Sequence, residues 1–71
     1  MEFQRKVKVM RAVRGISQAA LADKMGQYRN LVLWVETGRV IPTNDTIQAI
    51  REALQWPESA DVYLEALEAS N

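Results

Sequence analysis

Ser17-Gln18-Ala19-Ala20-Leu21-Ala22-Asp23-Lys24-Met25-Gly26, continued by Gln27 to Thr37 and closed by Gly38-Arg39, is the stretch that decides the fold of this chain. It reads as helix, glycine turn, helix and glycine stop. The small side chain of Ala22 lets two helix backbones approach closely. Gly26 supplies backbone geometry that residues with a Cβ resist, and Val32 with Val35 anchor the second helix inward. The pattern predicts a helix-turn-helix with its core over about residues 17–37.

Working outward, apolar residues recur at helical spacing. Phe3, Val7 and Met10 mark a first helix over residues 3–14, and Gly15 ends it. Ser17 stands where an N-cap belongs, with its hydroxyl able to accept from an amide two or three residues on. The next helix runs to Met25 and buries Leu21 and Met25, and a third covers about Tyr28 to Thr37. Pro42-Thr43-Asn44-Asp45 starts a fourth, with Asp45 at its positive end and Ile47, Ile50 and Leu54 inward. Trp56-Pro57 interrupts the chain again, and Ala60 to Ala69 forms a fifth helix within a C-terminal segment of about 58–69. No strand pattern, repeat or low-complexity linker is present.

Size and composition narrow the function. A chain of 71 residues fits one domain over 1–71 that buries roughly 60% of its unfolded surface, which leaves little room for an enzyme cleft. Cysteine and histidine are both absent. That removes thiolate chemistry, disulfides, the usual zinc sites and the commonest general base near neutral pH. No nucleophile–base pair or metal cluster is visible, so neither an enzyme nor a cofactor is expected. No apolar run approaches the roughly 20 residues of a membrane span, and Met1 to Lys6 leads into no signal-peptide core. The expectation is a cytoplasmic protein without a membrane or metal partner.

Formal net charge is zero, but the charges are segregated. Residues 1–40 carry eight bases against three acids, and residues 41–71 carry Arg51 against six acids. A basic first half suits a polyanion, with the acidic half expected to point away from it. The alternative is two solvated faces of opposite sign.

The third helix separates into two faces when stepped at about 100° per residue. Tyr28, Leu31, Val32 and Val35 fall on an arc expected to pack inward. Arg29, Asn30, Leu33, Trp34 and Thr37 fall on the other. An outward arginine and asparagine near a helix N-terminus suit guanine and adenine edges in a major groove. Outward Leu33 and Trp34 point to contact with thymine methyls, sugar edges or another protein. Val9 and Val13 on the flank of the first helix either add further exposed apolar surface or are partly covered by the rest of the bundle.

Residues 5–56 resemble the DNA-binding domains of the lambda-repressor and Cro type, the XRE-like family. The residues that carry the likeness are Val7, Met10 and Arg11, then Gly15-Ile16-Ser17-Gln18, Leu21-Ala22 and Gly26. Val32, Val35, Glu36, Gly38-Arg39, Pro42 and Thr46-Ile47 to Leu54 complete it. The resemblance implies a compact all-α bundle of five helices that binds an operator as a twofold dimer, as transcriptional repressors of bacteria and phages do. It makes Gln18 a phosphate clamp and puts Arg29, Asn30 and Trp34 where relatives read bases, with Leu33 and Thr37 beside them and Tyr28 at the head of the same helix. Arg39 and the backbone near Asn44 correspond to a phosphate-touching loop, and Arg11 with Glu36 to a partly buried ion pair. Gln27, Tyr28, Leu31, Leu33 and Trp34 depart from the family's usual small or polar residues, so the outer face is unusually apolar. A rival expectation follows: a protein-interaction module, such as an antirepressor, that grips a partner through Leu33 and Trp34.

On the fifth helix Asp61, Glu65 and Glu68 share one narrow arc. Tyr63, Leu64 and Leu67 face one way, and Val62, Ala66 and Ala69 another. Apolar surface on two sides needs two partners, and a small bundle supplies one. A homodimer through Val62, Tyr63, Ala66, Leu67 and Ala69, together with Trp56, is expected.

Overall fold

Helix boundaries in the computed structural model, which describes residues 1–69, follow local capping chemistry closely. The five helices are α1 (Phe3–Arg14), α2 (Gln18–Met25), α3 (Arg29–Glu36), α4 (Asn44–Ala53) and α5 (Glu58–Ala69), with no strand among the described residues. Ser17 caps α2 by accepting from the Ala20 amide at 3.0 Å, and Thr43 caps α4 by accepting from Thr46 at 3.2 Å. Each side chain satisfies an amide that the first turn would leave unpaired. α5 spans the expected C-terminal segment of about 58–69, with Pro57 just before its first turn and the Pro57 carbonyl accepting from the Ala60 amide.

Four helix ends share one device. At the end of α2 the Gly26 amide donates to Asp23 and the Gln27 amide to Ala22, with Gly26 at φ 68°. This paired pattern needs a left-handed residue, which glycine supplies without steric cost. The same pattern ends α1 and α3. It also ends α4, where the amides of Gln55 and Trp56 donate to Glu52 and Arg51, but there the left-handed position is held by Gln55 at φ 50°. A side chain in that conformation costs roughly 1–2 kcal/mol. The chain thereby reverses direction just before Trp56.

All five segments feed one apolar cluster. Val7 and Met10 of α1, Leu21 and Ala22 of α2, Val32 and Val35 of α3, Ile50 and Leu54 around α4, Trp56 in the linker that follows, and Leu64 of α5 are buried. α2 packs on both α3 and α4, and α1 packs on α3. Met25, Leu31 and Val9 are partly buried against this cluster, Ile47 is half-buried, and Val13 is exposed.

Two expectations are corrected here. Tyr28 does not pack inward but is 86% exposed. It is the N-cap of α3 with extended backbone, so the helical wheel does not govern it. Trp56 is not offered to a second copy: it is 7% exposed, stacked on Phe3 at 5.7 Å, with the Arg51 guanidinium 4.6 Å from its ring centroid. The reversal at Gln55 brings it back onto α1. The acids Asp61, Glu65 and Glu68 of α5 are engaged within the fold. Asp61 pairs with Lys6 and Arg51, Glu65 with Lys6 and the Met1 amine, and Glu68 with that same amine.

Candidate nucleic-acid interface

The outer face of α3 is built by burying its inner one. With Val32 and Val35 at 0% and 1% exposure, the rotation of the helix is fixed. Arg29, Asn30, Leu33, Trp34 and Thr37 are then left outside. The face has two halves of different chemistry. Arg29 and Asn30, on its first turn, are exposed and have no hydrogen-bond partner among the described residues. Leu33 and Trp34, one turn on, are 39% and 37% exposed. The Thr37 hydroxyl donates back to the Leu33 carbonyl at 2.8 Å, which uses its proton inside the helix.

Beside this face runs a hollow of about 370 Å³ lined by Ser17, Gln18, Ala19, Arg29, Asn30 and Leu33. It brings the N-termini of α2 and α3 to one place. Gln18 is half-buried there, and its amide donates to the Glu36 carboxylate at 3.2 Å. One of the two amide protons is thus used internally, and the other is left for an external acceptor.

Glu36 is the hub behind the face. Its side chain is 1% exposed, and the Arg11 guanidinium engages both its oxygens, at 2.6 and 3.0 Å. Arg11 also donates to the Ile16 carbonyl at 3.0 Å. The carboxylate beside it holds the Arg11 guanidinium above its ordinary pKa, outweighing the opposing effect of burial. α1, α2 and α3 are tied together by this one carboxylate, so the pair that the resemblance implied is present in the structure.

The remaining charges sort by whether they are already used. The Met1 amine and Lys6 lie against α5, and Arg14 donates to the carbonyls of Leu54 and Gln55. Hydrogen bonds to Glu68 and Glu65 raise the amine's pKa. For Lys6, burial works against the charge but is outweighed by Glu65 and Asp61, and the net direction is again upward. Glu65 is held below its ordinary value by the amine and then by Lys6. Asp61 is lowered by Arg51 and Lys6 despite its partial burial. Arg5, Lys8, Lys24, Arg29 and Arg39 have no ion-pair partner among the described residues. Lys24, at the end of α2, was not singled out from the sequence, although the absence of any acid three or four residues away on its helix is a readable signal.

Arg39 and Asn44 are exposed on either side of the loop that joins α3 to α4, and Ile41 within it is 91% exposed. On α5, Val62 and Tyr63 are 73% and 56% exposed, and Ala66 and Ala69 are also outside. Leu67 is partly buried against the core, so with Trp56 it leaves the expected interface set.

Another hollow, about 790 Å³, is lined by α4, the following linker and the start of α5. Arg51 is paired with Asp61 there at 3.2 Å and Gln48 with Glu52 at 3.4 Å, while the indole N–H of Trp56 is buried without a hydrogen-bond partner among the described residues. Among the described residues no cluster of acids is placed to hold a metal ion, and no helix is long and apolar enough to cross a membrane. Comparisons of the chain with protein-family models, with curated proteins and with solved structures found no match.

Proposed function

We propose that this chain is a sequence-specific DNA-binding transcriptional regulator of repressor type. In this reading α2 and α3 form a helix-turn-helix, and α3 enters the major groove. The observation that carries it is the pair Arg29 and Asn30, adjacent, exposed and without a partner on the first turn of α3. Arginine suits the two acceptors of guanine, and asparagine the donor–acceptor pair of adenine. Lys24 in the last turn of α2 and Arg39 just after α3, also without an ion-pair partner among the described residues, supply further positive charge. The second amide proton of Gln18 is free for a phosphate.

A homodimer through the outer face of α5 goes with this reading. Val62, Tyr63, Ala66 and Ala69 form its contact, and a twofold axis would set two α3 helices about 34–36 Å apart on successive major grooves of a palindromic operator. The test is selection of bound fragments from a random duplex library at low salt. Enrichment of a palindrome, with affinity that falls steeply as salt rises, supports the reading. Absence of both overturns it.

A second reading is supported by the apolar side chains of the same face. Tyr28 at 86% exposure, at the head of the helix that carries Leu33 and Trp34, suits a protein partner of the kind an antirepressor would grip. Salt separates the two, because an apolar interface responds weakly to ionic strength.

A further inference from the structure

The two chemically different halves of the outer face of α3 carry an inference about which bases it reads, and this rests on the DNA-binding reading above. Arg29 and Asn30 offer hydrogen-bond donors, and Asn30 an acceptor as well. One turn on, that polar capacity nearly disappears. Leu33 has none, and Thr37 has used its hydroxyl proton on the Leu33 carbonyl at 2.8 Å. Trp34 adds a large ring with a single N–H. Leu33 and Trp34 still expose more than a third of their surface, at 39% and 37%, and Leu33 lines the same hollow as Arg29 and Asn30. Readout by this half is mainly apolar.

A base pair presents one apolar group in the major groove, the methyl on C5 of thymine, which 5-methylcytosine shares. We infer that Leu33 and Trp34 read C5-methyl groups, so that each half-site carries thymine beside the guanine and adenine met by Arg29 and Asn30. Helix geometry sets the distance. Four residues along α3 advance about 6 Å, and base pairs are stacked at about 3.4 Å. The thymine therefore lies within about two base pairs of the purines.

The experiment uses the operator recovered by selection and replaces each thymine in that window, one at a time, with deoxyuridine, which differs only by the methyl. Binding of the full chain is measured by fluorescence anisotropy. Loss of one buried methyl weakens binding about three- to fivefold. Cytosine at the same position binds more weakly than 5-methylcytosine. Leu33→Ala removes the difference between thymine and uracil at its position, and Arg29→Ala keeps it. Equal affinity of the unmodified chain for thymine and uracil duplexes at every position in the window overturns the inference and leaves the DNA-binding reading standing. This comparison needs no variant to fold. Failure to bind any duplex overturns both.

Discussion

Replacing Arg11 with methionine tests the hub behind the outer face of α3. Arg11→Met keeps most of the side chain's apolar stem and removes three donations, two to Glu36 at 2.6 and 3.0 Å and one to the Ile16 carbonyl at 3.0 Å. The carboxylate of Glu36, 1% exposed, then keeps only the 3.2 Å bond from Gln18. Breaking a buried pair from one side costs about 3–5 kcal/mol, because the surviving charge has neither water nor a counterion. The Ile16 carbonyl belongs to a half-buried residue that water can reach, so its share is small. A chain of 71 residues at roughly 0.05–0.15 kcal/mol per residue has only about 4–11 kcal/mol in total. Arg11→Met is therefore expected to lower Tm by at least about 12 °C, read by circular dichroism at pH 7. Adding Glu36→Gln to Arg11→Met removes the stranded charge and is expected to recover about 2 kcal/mol of the loss. A fall in stability under about 1 kcal/mol for Arg11→Met, or a double variant no more stable than the single one, would refute the reasoning.

Gln55→Gly relieves a left-handed conformation at φ 50°, offset in part by the freedom glycine gives the unfolded chain. It should raise Tm by about 2–8 °C, and a lower Tm would mean that the Gln55 side chain contributes more than its backbone costs. The α1–α5 charge cluster sets a pH window. Asp61 and Glu65 have folded pKa values below their ordinary 3.8 and 4.5, so their contribution is complete above those values and lost as pH falls further. The Met1 amine is raised above 8.0, so its contribution is complete below that pH and lost as pH climbs through the folded value. Thermal melts from pH 2 to 10 should show a plateau between about pH 5 and 8, with a shallower acid limb for Lys6→Met; identical acid limbs would remove Lys6 from the account. Under the proposed function, Arg29→Ala relaxes the preference for one base position by roughly 1–3 kcal/mol, whereas Gln18→Ala weakens all duplexes evenly. A competition series across point-substituted operators separates them, and equal losses on every sequence would deny Arg29 a base-reading role.

The helices were legible where a chain position has only one chemical use. Ser17 before an apolar run, and glycine after one, fixed both ends of α2 because capping depends on immediate neighbours. The core faces of α1 and α4 followed from period alone. Arg11 and Glu36 lie 25 residues apart, so no local pattern joins them, and only the family resemblance suggested the pair. Tyr28 was misplaced because a wheel assumes helical dihedrals and its backbone is extended. Gln55 carries no mark of its left-handed backbone in its residue type. Without that reversal, nothing in the sequence would return Trp56 to Phe3.

The charge pattern was legible in sequence but not in effect, and the difference bears on assembly. Segregation by halves suggested an acidic end held away from a basic one. In the fold the first half supplies the Met1 amine and Lys6, and α4 supplies Arg51, to neutralise Asp61, Glu65 and Glu68. Those cations are thereby withdrawn from any polyanion, while Lys24, Arg29 and Arg39 remain unpaired around α3. A net charge of zero is thus compatible with unpaired positive charge on α2, on α3 and in the loop that follows it. The same pairing changes what α5 offers to a second copy. An acidic helix meeting its twin would ordinarily be opposed by like charges, but these carboxylates are engaged with α1 and α4. Outward, α5 presents Val62, Tyr63, Ala66 and Ala69 beside the exposed but ion-paired Glu65 and Glu68. The proposed dimer therefore brings apolar surface together without stacking unneutralised acids, and mutations that free those acids, Lys6→Met among them, should weaken self-association as well as the hold of α5 on its own bundle.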